Sequence, residues 1–288
     1  MPVKAVKTEQ GRTLKFGRRR PVAFHPHLHL KKYKLPGVSP PPTLDLSGKA
    51  GSVLGQMYLN DQLGDCVIAA MAHTTGLLQA AADSEPTIFS DDEITKLYSA
   101  IGGYVPGDES TDQGCDIQTA LAYWKVNGAP IASNHKIAGY LGVDASNQQD
   151  VMTALWLFEN VIYGVELPDR WVSNLPSKSG FTWDLAGRPD PQNGHCFPGI
   201  GYNQQGVTIS TWGMTGTLTW RAGQRYSVAK SGGELWVVLD EEAIDQAQQK
   251  SPDGFDWATL VADFTALGGT PIVPSQSQID EEFEREAA

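Results

Sequence analysis

Residues 60–66 decide the fold, and they are Asn60-Asp61-Gln62-Leu63-Gly64-Asp65-Cys66. A run of small and apolar residues follows and predicts a helix over 66–82, with Asp65 at its N-cap position. Cys66 would then lie in the first helical turn, where the helix dipole and free backbone N–H groups favour an anion and lower the pKa of a thiol. Gly64 leaves room for the backbone of a substrate. The pattern therefore indicates a thiol nucleophile.

The base that such a thiol needs lies far downstream. His195 follows Gly194, begins an apolar run that predicts a strand, and stands 129 residues after Cys66. That separation is close to the roughly 130–150 residues expected between nucleophile and base in one class of thiol hydrolases. His73 is excluded as the base because seven residues along one helix, at ~1.5 Å each, put it about 10 Å from Cys66. Cys66 and His195 are therefore the candidate catalytic pair.

Five motifs stand in the order found in papain-like cysteine peptidases. They are Pro42-Thr43-Leu44-Asp45, Gln62 with Gly64-Asp65-Cys66, Gly114-Cys115 before a helix, Gly194-His195 with Gly199-Ile200-Gly201-Tyr202, and Ser210-Thr211-Trp212-Gly213. From about residue 40 to about residue 240 the chain resembles this family. The resemblance implies an α+β fold of two lobes with a peptide or protein substrate in the cleft between them. Cys66 would attack the substrate carbonyl to form a thioester, and His195 would hold the proton and donate it to the leaving amine.

The resemblance also assigns the groups around this pair, with departures from the family pattern. An oxyanion donor would come from the Cys66 N–H and a side-chain amide. The family glutamine lies six residues before the nucleophile, where this chain has Asn60, whereas Gln62 lies four residues before it. Either amide can serve, and we slightly favour Gln62.

The imidazole side of the site departs from the family as well. Ser210 replaces the asparagine that orients the ring, and its shorter hydroxyl would hold the imidazole less firmly; Asp184 or Asp190 could substitute. Trp212 is expected to pack over His195 and shield it from water. Cys115 lacks its usual disulfide partner in the family, so we expect a free thiol. The resemblance implies no cofactor and no metal.

The chain divides into an arm, a two-lobed domain and a tail. Residues 1–43 form a basic arm that ends in a proline run and shows no sustained periodicity, 44–270 form the papain-like domain, and 271–288 form an acidic tail. Helices predicted over 66–82, 91–100 and 116–126 make a helical lobe of about 44–145. A helix over 149–159, strands over 161–165, 197–202, 207–212, 218–220 and 234–239, and a helix over 255–267 make a β-rich lobe of about 146–270.

The net charge of −11 conceals a split between arm and body. Residues 1–34 carry ten Lys or Arg against one acid, which leaves +9 on the arm and −20 on the rest. Such an arm either docks to an anionic partner or folds back onto its own body. It could also occlude the cleft as a short pro-segment, although pro-segments of the family are longer and helical. The Arg18-Arg19-Arg20 run lies in no recognisable nucleic-acid-binding fold, and His25, His27 and His29 have no acid or cysteine nearby in sequence, so we expect neither nucleic acid nor a metal there.

Composition narrows the function classes further. No apolar run reaches the ~18 residues of a membrane span, and no secretory signal is recognisable. Three cysteines do not make a disulfide framework, which favours an intracellular or particle-enclosed setting. We predict a cysteine peptidase. The alternatives are other thiol acyl-transfer chemistry, or a weakly active or inactive papain-like module that its arm docks into a larger assembly such as a phage particle.

Overall fold

The computed structural model describes residues 3–21, 27–130 and 135–267. The strands are β1 (Lys4–Lys7), β2 (Thr13–Phe16), β3 (Arg18–Arg19), β4 (Leu28–His29), β5 (Leu44–Asp45), β6 (Cys115–Asp116), β7 (Gly139–Gly142), β8 (Val161–Pro168), β9 (Phe181–Trp183), β10 (Pro189–Tyr202), β11 (Gly206–Thr211), β12 (Met214–Thr219) and β13 (Glu234–Leu239). The helices are α1 (Gly51–Leu54), α2 (Cys66–Ala81), α3 (Asp91–Gly102), α4 (Ile117–Asn127), α5 (Gln148–Phe158), α6 (Asp169–Val172), α7 (Trp220–Tyr226), α8 (Glu241–Lys250) and α9 (Trp257–Ala266).

The helical lobe is built around α2, which is buried on nearly every side, as expected of a helix without a polar face. Helix α3 begins with the capping box that its sequence predicts, because the Ser90 hydroxyl accepts from the Glu93 N–H and the Glu93 carboxylate accepts from the Ser90 N–H. Helix α4 begins at Asp116, whose carboxylate accepts from the Thr119 N–H. Both helices pack with α2 around one apolar cluster.

The β-rich lobe is one sheet with strand order β4-β7-β13-β8-β10-β11-β12-β9, and β5 also pairs with β10. Strand β10 pairs antiparallel with β8, with His195 opposite Val165. Strands β11 and β12 are joined by the two-residue turn Trp212-Gly213, where both residues have positive φ, 51° and 70°. Positive φ at both positions is the mark of the tight hairpin turns, although a tryptophan there is unusual. The turn lies beside His195.

The N-terminal arm is more ordered than its lack of periodicity predicts. Strands β1 and β2 form an antiparallel hairpin, β3 pairs parallel with β6, and β4 joins the edge of the main sheet beside β7. The arm's basic side chains pair with acids of the same chain, through Lys15–Asp112, Arg18–Glu234, Arg20–Glu166, Lys32–Asp263 and Lys34–Asp150. Of the roles considered for the arm's charge, the structure therefore supports folding back onto the body.

Most predicted elements are confirmed with small shifts in their ends, as α4, α5 and β13 illustrate. The sequence prediction missed the short strands β7 and β9 and the helix α8, whose single buried face is narrow. The predicted acidic tail and His25 lie outside the described residues. Within the described ranges, no helix has the length and apolar character needed to cross a membrane.

Candidate active site

Cys66 is the first residue of α2 and is fully buried. Asp65 occupies the N-cap position, but its side chain does not cap the helix. Instead, one carboxyl oxygen of Asp65 accepts a hydrogen bond of 3.2 Å from the Asn60 side-chain amide. Burial raises the pKa of the Asp65 carboxyl well above its ordinary value. The residue before the nucleophile is thus a buried acid that favours its neutral form.

The loop before Cys66 is held by Asp112. Its Oδ1 accepts from the Gly64 N–H at 2.9 Å and from the Tyr98 hydroxyl at 2.7 Å, while Tyr98 accepts from the Gly114 N–H at 2.7 Å. One buried carboxylate therefore joins two glycine-containing segments of the cleft wall. Lys15 of the arm completes the set, donating to Asp112 Oδ2 at 2.8 Å.

His195 lies on β10 and is also fully buried. Its Nε2 lies 2.7 Å from the Thr211 hydroxyl, whereas Nδ1 is buried and has no hydrogen-bond partner in the described part of the chain. The Trp212 ring stacks on the imidazole, with centroids 4.1 Å apart and planes 14° apart. The contacts fix the ring plane and leave Nδ1 as the nitrogen available for another partner.

Ser210, which we expected to orient the imidazole, does not contact it. Its hydroxyl donates instead to the Leu54 carbonyl at 3.2 Å. Successive side chains of a strand point to opposite faces of the sheet. A shift of one residue along β11 therefore changes which side chain faces the imidazole ring. The prediction is corrected to Thr211, the next residue along the strand.

The thiol of Cys66 lies beside the backbone of Cys196, the residue after His195, and hydrogen bonds with it. Burial is the largest influence on the Cys66 thiol and raises its pKa to about 12. Burial likewise lowers the pKa of His195 to about 3. We predicted a lowered thiol pKa from the helix terminus, and this is wrong for the conformation observed because burial outweighs that effect. The pair is neutral here.

The two candidate amides for the oxyanion differ in burial. Asn60 is buried and its Nδ2 donates to the Leu63 carbonyl at 3.2 Å and to the Lys15 carbonyl at 3.4 Å. Gln62, the residue that we slightly favoured, is exposed on the surface of the loop. The Asn60 amide, rather than the Gln62 amide, therefore faces the arm in the cleft.

The backbone of the arm occupies the cleft at Cys66. The backbone of Gly17 hydrogen bonds with the Cys66 thiol, and this contact favours the thiolate, so the donor is a backbone N–H. The Gly17 carbonyl accepts from the Cys115 N–H at 3.0 Å, as part of the parallel β3–β6 pairing. An N–H thus faces the thiol, while the carbonyl of Gly17 is engaged elsewhere.

Glycines of both the arm and the body allow the arm to approach this closely. A Cβ atom at Gly17 would overlap the Gly64 carbonyl oxygen, and one at Gly114 would overlap the Gly17 carbonyl oxygen. A Cβ atom at Gly194 would overlap the carbonyl oxygen of Arg18. Backbone therefore packs directly on backbone along both walls of the cleft.

The side chains on either side of Gly17 contact different parts of the β-rich lobe. Phe16 is buried edge-to-face against His195 and Trp212, with ring centroids 5.9 Å apart in both pairs. On the other side, Arg18 donates to Glu234 through Nε at 3.0 Å and to the Gly232 carbonyl through Nη1 at 2.6 Å. The candidate pair is thereby covered. We call this conformation the closed form.

Other groups singled out in the sequence lie away from this centre. His73 is buried against Tyr58, with ring centroids 4.8 Å apart, and burial lowers its pKa to about 4. Asp184 accepts from Arg221 and from Thr219 rather than from His195, and Asp190 Oδ1 accepts from the Gln192 N–H. Among the described residues the cysteines are free, and no cluster of three metal-ligating side chains occurs.

Solved structures of cysteine proteases share this arrangement of elements. Xylellain, a cysteine protease from Xylella fastidiosa, matches with a TM-score of 0.60 and 17% identity over 78% of this chain and 96% of its own. Digestive procathepsins L3 and L2 of the larval midgut of Tenebrio molitor both match with a TM-score of 0.52 and 12% identity; the matches cover 74% and 78% of this chain and 76% and 78% of theirs. No protein-family model matches the chain, and no curated protein sequence matches it.

These similarities establish the fold. The chain has the α+β fold of papain-like cysteine proteases, with low sequence identity to the solved structures. The fold class predicted from the five motifs is confirmed.

Proposed function

We propose that this protein is a cysteine peptidase in which Cys66 is the nucleophile and His195 is the base. The observation that carries the proposal is the state of the imidazole: it is stacked on Trp212, held at Nε2 by Thr211, and without a partner for its buried Nδ1 among the described residues. Such constraint of a ring nitrogen is what a general base requires. The Cys66 thiol hydrogen bonds with the backbone of Cys196, the residue after His195.

The contacts support a specific proton path. When the Thr211 hydroxyl accepts from Nε2–H, the neutral ring carries no proton on Nδ1, which can then take the proton of the Cys66 thiol. The thiolate attacks the substrate carbonyl, and the same Nδ1–H then protonates the leaving amine. Water hydrolyses the thioester and restores both groups. Trp212 covers one face of the imidazole throughout.

The developing oxyanion needs donors at the start of α2. We propose that the Cys66 N–H and the Asn60 side-chain amide supply them. Support for Asn60 over Gln62 comes from its burial and from its donation to the Lys15 carbonyl of the arm at 3.4 Å.

The closed form is the resting state in this proposal. A neutral thiol with a pKa near 12 and a neutral imidazole with a pKa near 3 do not exchange a proton readily, and Gly17 blocks access to the thiol. Displacement of residues 14–18 would return water and ordinary pKa values to both groups. Turnover therefore requires the arm to leave the cleft.

The experiment compares hydrolysis of an unfolded, fluorescently labelled protein by the full chain and by Cys66→Ala. We expect hydrolysis by the parent chain and none above background by Cys66→Ala, with Cys115→Ala as the matched control that keeps activity. Far-UV circular dichroism checks that each variant folds. Equal turnover by Cys66→Ala and its parent would disprove the proposal, as would the absence of turnover from parent chains with or without an opened arm.

The alternative, a papain-like module whose arm docks it into an assembly, has less support. Arm side chains such as Lys15 and Arg18 form ion pairs with acids of this chain, so part of the arm's charge is already neutralised by the body. Removal of residues 1–39 tests this alternative: lost co-sedimentation with an assembly, together with no turnover by either the parent or the shortened chain, would favour it.

A further inference from the structure

Asp65, the residue before the proposed nucleophile, carries a buried carboxyl that the proposed mechanism does not use. Asp65 is fully buried, and its Oδ2 has no hydrogen-bond partner among the described residues. A buried carboxyl oxygen without a partner costs free energy, of the order of 1–3 kcal/mol. Its presence next to Cys66 therefore needs a physical explanation.

Capping of α2 is not that explanation. An aspartate at the N-cap position normally accepts through its side chain from an N–H of the first helical turn. Asp65 instead accepts from the Ile68 N–H through its backbone carbonyl, at 2.7 Å, and its side chain does not cap the helix. The carboxyl thus leaves the Cys66 N–H free for the oxyanion that we propose it binds.

The Asp65 side chain is turned toward Asn60 instead. Asp65 Oδ1 accepts from Asn60 Nδ2 at 3.2 Å, and the Leu63 carbonyl accepts from the same nitrogen at 3.2 Å. The two residues before Asn60, Tyr58 and Leu59, have positive φ values of 51° and 63°, which bulky residues rarely adopt. Such backbone persists only where the surrounding contacts hold it. The orientation of the Asn60 amide is therefore set by the loop, and Asp65 is part of what sets it.

The Asp65 carboxyl makes this contact in its neutral form. Burial is the largest influence on its pKa and raises it well above the ordinary value, and the nearby carboxylates of Asp112 and Asp61 act in the same direction. Because Oδ1 accepts from the amide, the acid proton lies on Oδ2. A charged Asp65 would raise the pKa of the Cys66 thiol, so a neutral acceptor suits the position better than a carboxylate.

We infer that Asp65 is a positioning residue for the oxyanion: its neutral carboxyl holds the Asn60 side-chain amide beside the Cys66 N–H. One hydrogen of Asn60 Nδ2 is directed at acceptors of the loop, and the other is left for the oxygen of the tetrahedral intermediate. In the closed form the Lys15 carbonyl lies 3.4 Å from the same nitrogen. Asp65 itself does not touch the substrate. This inference rests on the proposed function, because it assumes that Asn60 and Cys66 serve in acyl transfer.

The test compares two probes of Cys66 in the full chain, the aldehyde acetyl-leucyl-glycinal and iodoacetamide. Addition of the thiol to the aldehyde forms a C–S bond and turns the carbonyl oxygen into the tetrahedral oxygen of a hemithioacetal, and the thiol proton passes through His195 to that oxygen. Iodoacetamide alkylates the thiolate with release of iodide and forms no such oxygen.

The affinity of the aldehyde is measured from how far it slows iodoacetamide labelling of Cys66, followed by peptide mass mapping. Both reactions need the arm displaced, so the open fraction cancels in one ratio, the association constant of the aldehyde divided by the rate constant of labelling. We call this quantity the oxyanion ratio. A variant that only loosens the fold changes both of its parts together and leaves the ratio unchanged.

Variants of the two residues assign the effect. Asn60→Ala removes one oxyanion donor and should lower the oxyanion ratio about 100-fold. Asp65→Ala leaves the amide in place but no longer holds it, so we expect about a tenfold loss. In the Asn60→Ala background, Asp65→Ala should change the ratio less than about twofold, because a residue that acts through Asn60 has nothing left to hold.

Conservative variants separate the acceptor from its charge and its volume. Asp65→Asn keeps an uncharged acceptor of the same shape, so its oxyanion ratio should stay within about threefold of the parent chain. Asp65→Leu fills the same space without an acceptor and should lose about as much as Asp65→Ala. Asp61→Ala, which removes a half-buried acid from the same loop, is the matched control and keeps the parent ratio. Far-UV circular dichroism checks that each variant folds.

The outcomes separate this inference from the proposed function. An unchanged oxyanion ratio in Asp65→Ala and Asp65→Leu, or losses that add up in the double variant, would overturn the positioning role and leave the cysteine peptidase standing. A loss in Asp65→Asn as large as that in Asp65→Ala would also overturn it, since the carboxyl would then act through its charge or its proton. Failure of the aldehyde to protect Cys66 in the folded parent chain would overturn the proposed function itself.

Discussion

Two stretches of the same arm bind the body in different ways. The inner stretch, residues 14–18, is buried except for the half-buried Lys15, and its Arg18 side chain is 2% exposed in its ion pair. The outer stretch, residues 31–39, is mostly exposed, and its Lys32 is 54% exposed in its ion pair with Asp263. Both stretches are basic and both contact acids. Burial and backbone packing, rather than charge, therefore distinguish the stretch that closes the cleft.

The difference between the two stretches separates the effect of net charge from the effect of backbone packing. Attraction between an arm of +9 and a body of −20 acts on both stretches and is screened by salt over about 8–10 Å. It brings the arm to the body but does not select a register. The register is selected where Gly17 meets Gly64 and Gly114, because only backbone fits there.

The largest expected effect comes from filling the space at Gly17 with a side chain. Gly17→Val places a branched side chain against the Gly64 carbonyl, so the inner stretch can no longer pack in the cleft. With the arm displaced, the pKa of Cys66 would fall from about 12 toward the ordinary value of about 8.5, which raises the thiolate fraction at pH 7 by up to about 3000-fold. The rate of iodoacetamide labelling at Cys66, followed by mass mapping, measures the change.

The matched control for this variant is Gly48→Val, where a Cβ meets open space and the backbone has ordinary φ. It should label at Cys66 like the parent chain. Equal labelling of Gly17→Val and Gly48→Val would show that the inner stretch does not control access to the thiol.

Arg18→Ala should open the cleft about 100-fold. It removes the buried partner of Glu234, and an uncompensated buried charge costs about 3–5 kcal/mol, somewhat less here because Glu234 retains some exposure. Arg20→Ala also leaves a buried carboxylate, Glu166, without its cation, but the arginine that it removes is 60% exposed, so water can reach that carboxylate and we expect a smaller change of about tenfold at most. Labelling of Cys66 by iodoacetamide measures both. A larger effect of Arg20→Ala than of Arg18→Ala would refute the distinction between buried and exposed pairs.

Acid should open the cleft about fivefold between pH 6.5 and 5.5. His195 has a pKa of about 3 in the closed form and about 6.5 when solvated, so the closed form holds the neutral ring. The stability that this provides is complete above pH 6.5 and is lost as the pH falls toward 3, by up to about 1.4 kcal/mol per pH unit. A dipyridyl disulfide, which reacts with thiols in acid, reports the exposure of Cys66.

Unfolding must be separated from opening, because burial also lowers the pKa of His73 and acid destabilises its surroundings. Far-UV circular dichroism over the same pH range monitors unfolding. His195→Asn should flatten the pH profile of labelling while His73→Gln keeps it. An unchanged slope in His195→Asn would assign the acid effect to other groups.

The sequence predicts the body of this protein better than its arm. Helix α2, the His195 strand and the capping box at Ser90 are encoded locally, through cap residues and apolar periodicity, so they were predictable. The inner stretch carries no such periodicity, because its contacts are made by backbone and by ion pairs with residues about 100 to 200 positions away.

The site shows the same limit at the scale of single residues. The motif predicts a hydroxyl at the imidazole, but the choice of Thr211 over Ser210 depends on which face of β11 meets β10. Asn60 and Gln62 are likewise separated only by burial in the folded loop. The raised pKa of Cys66 was missed because it results from the arm's cover, which no local pattern encodes.

The smallest expected effect comes from removing one exposed charge of the outer stretch. Lys32→Ala removes an ion pair whose partners are 54% and 29% exposed, and such pairs contribute about 0–1 kcal/mol. Asp263 keeps its hydrogen bond from the buried Tyr33 hydroxyl at 2.7 Å, so the outer stretch stays anchored. Labelling at Cys66 should change less than about twofold.

Raising the salt concentration should weaken the Lys32 pair first and leave Arg18 in place, because a buried pair is screened much less than an exposed one. If Lys32→Ala opened the cleft as far as Arg18→Ala, closure would depend on the arm's summed charge, and the inner stretch would have no special role.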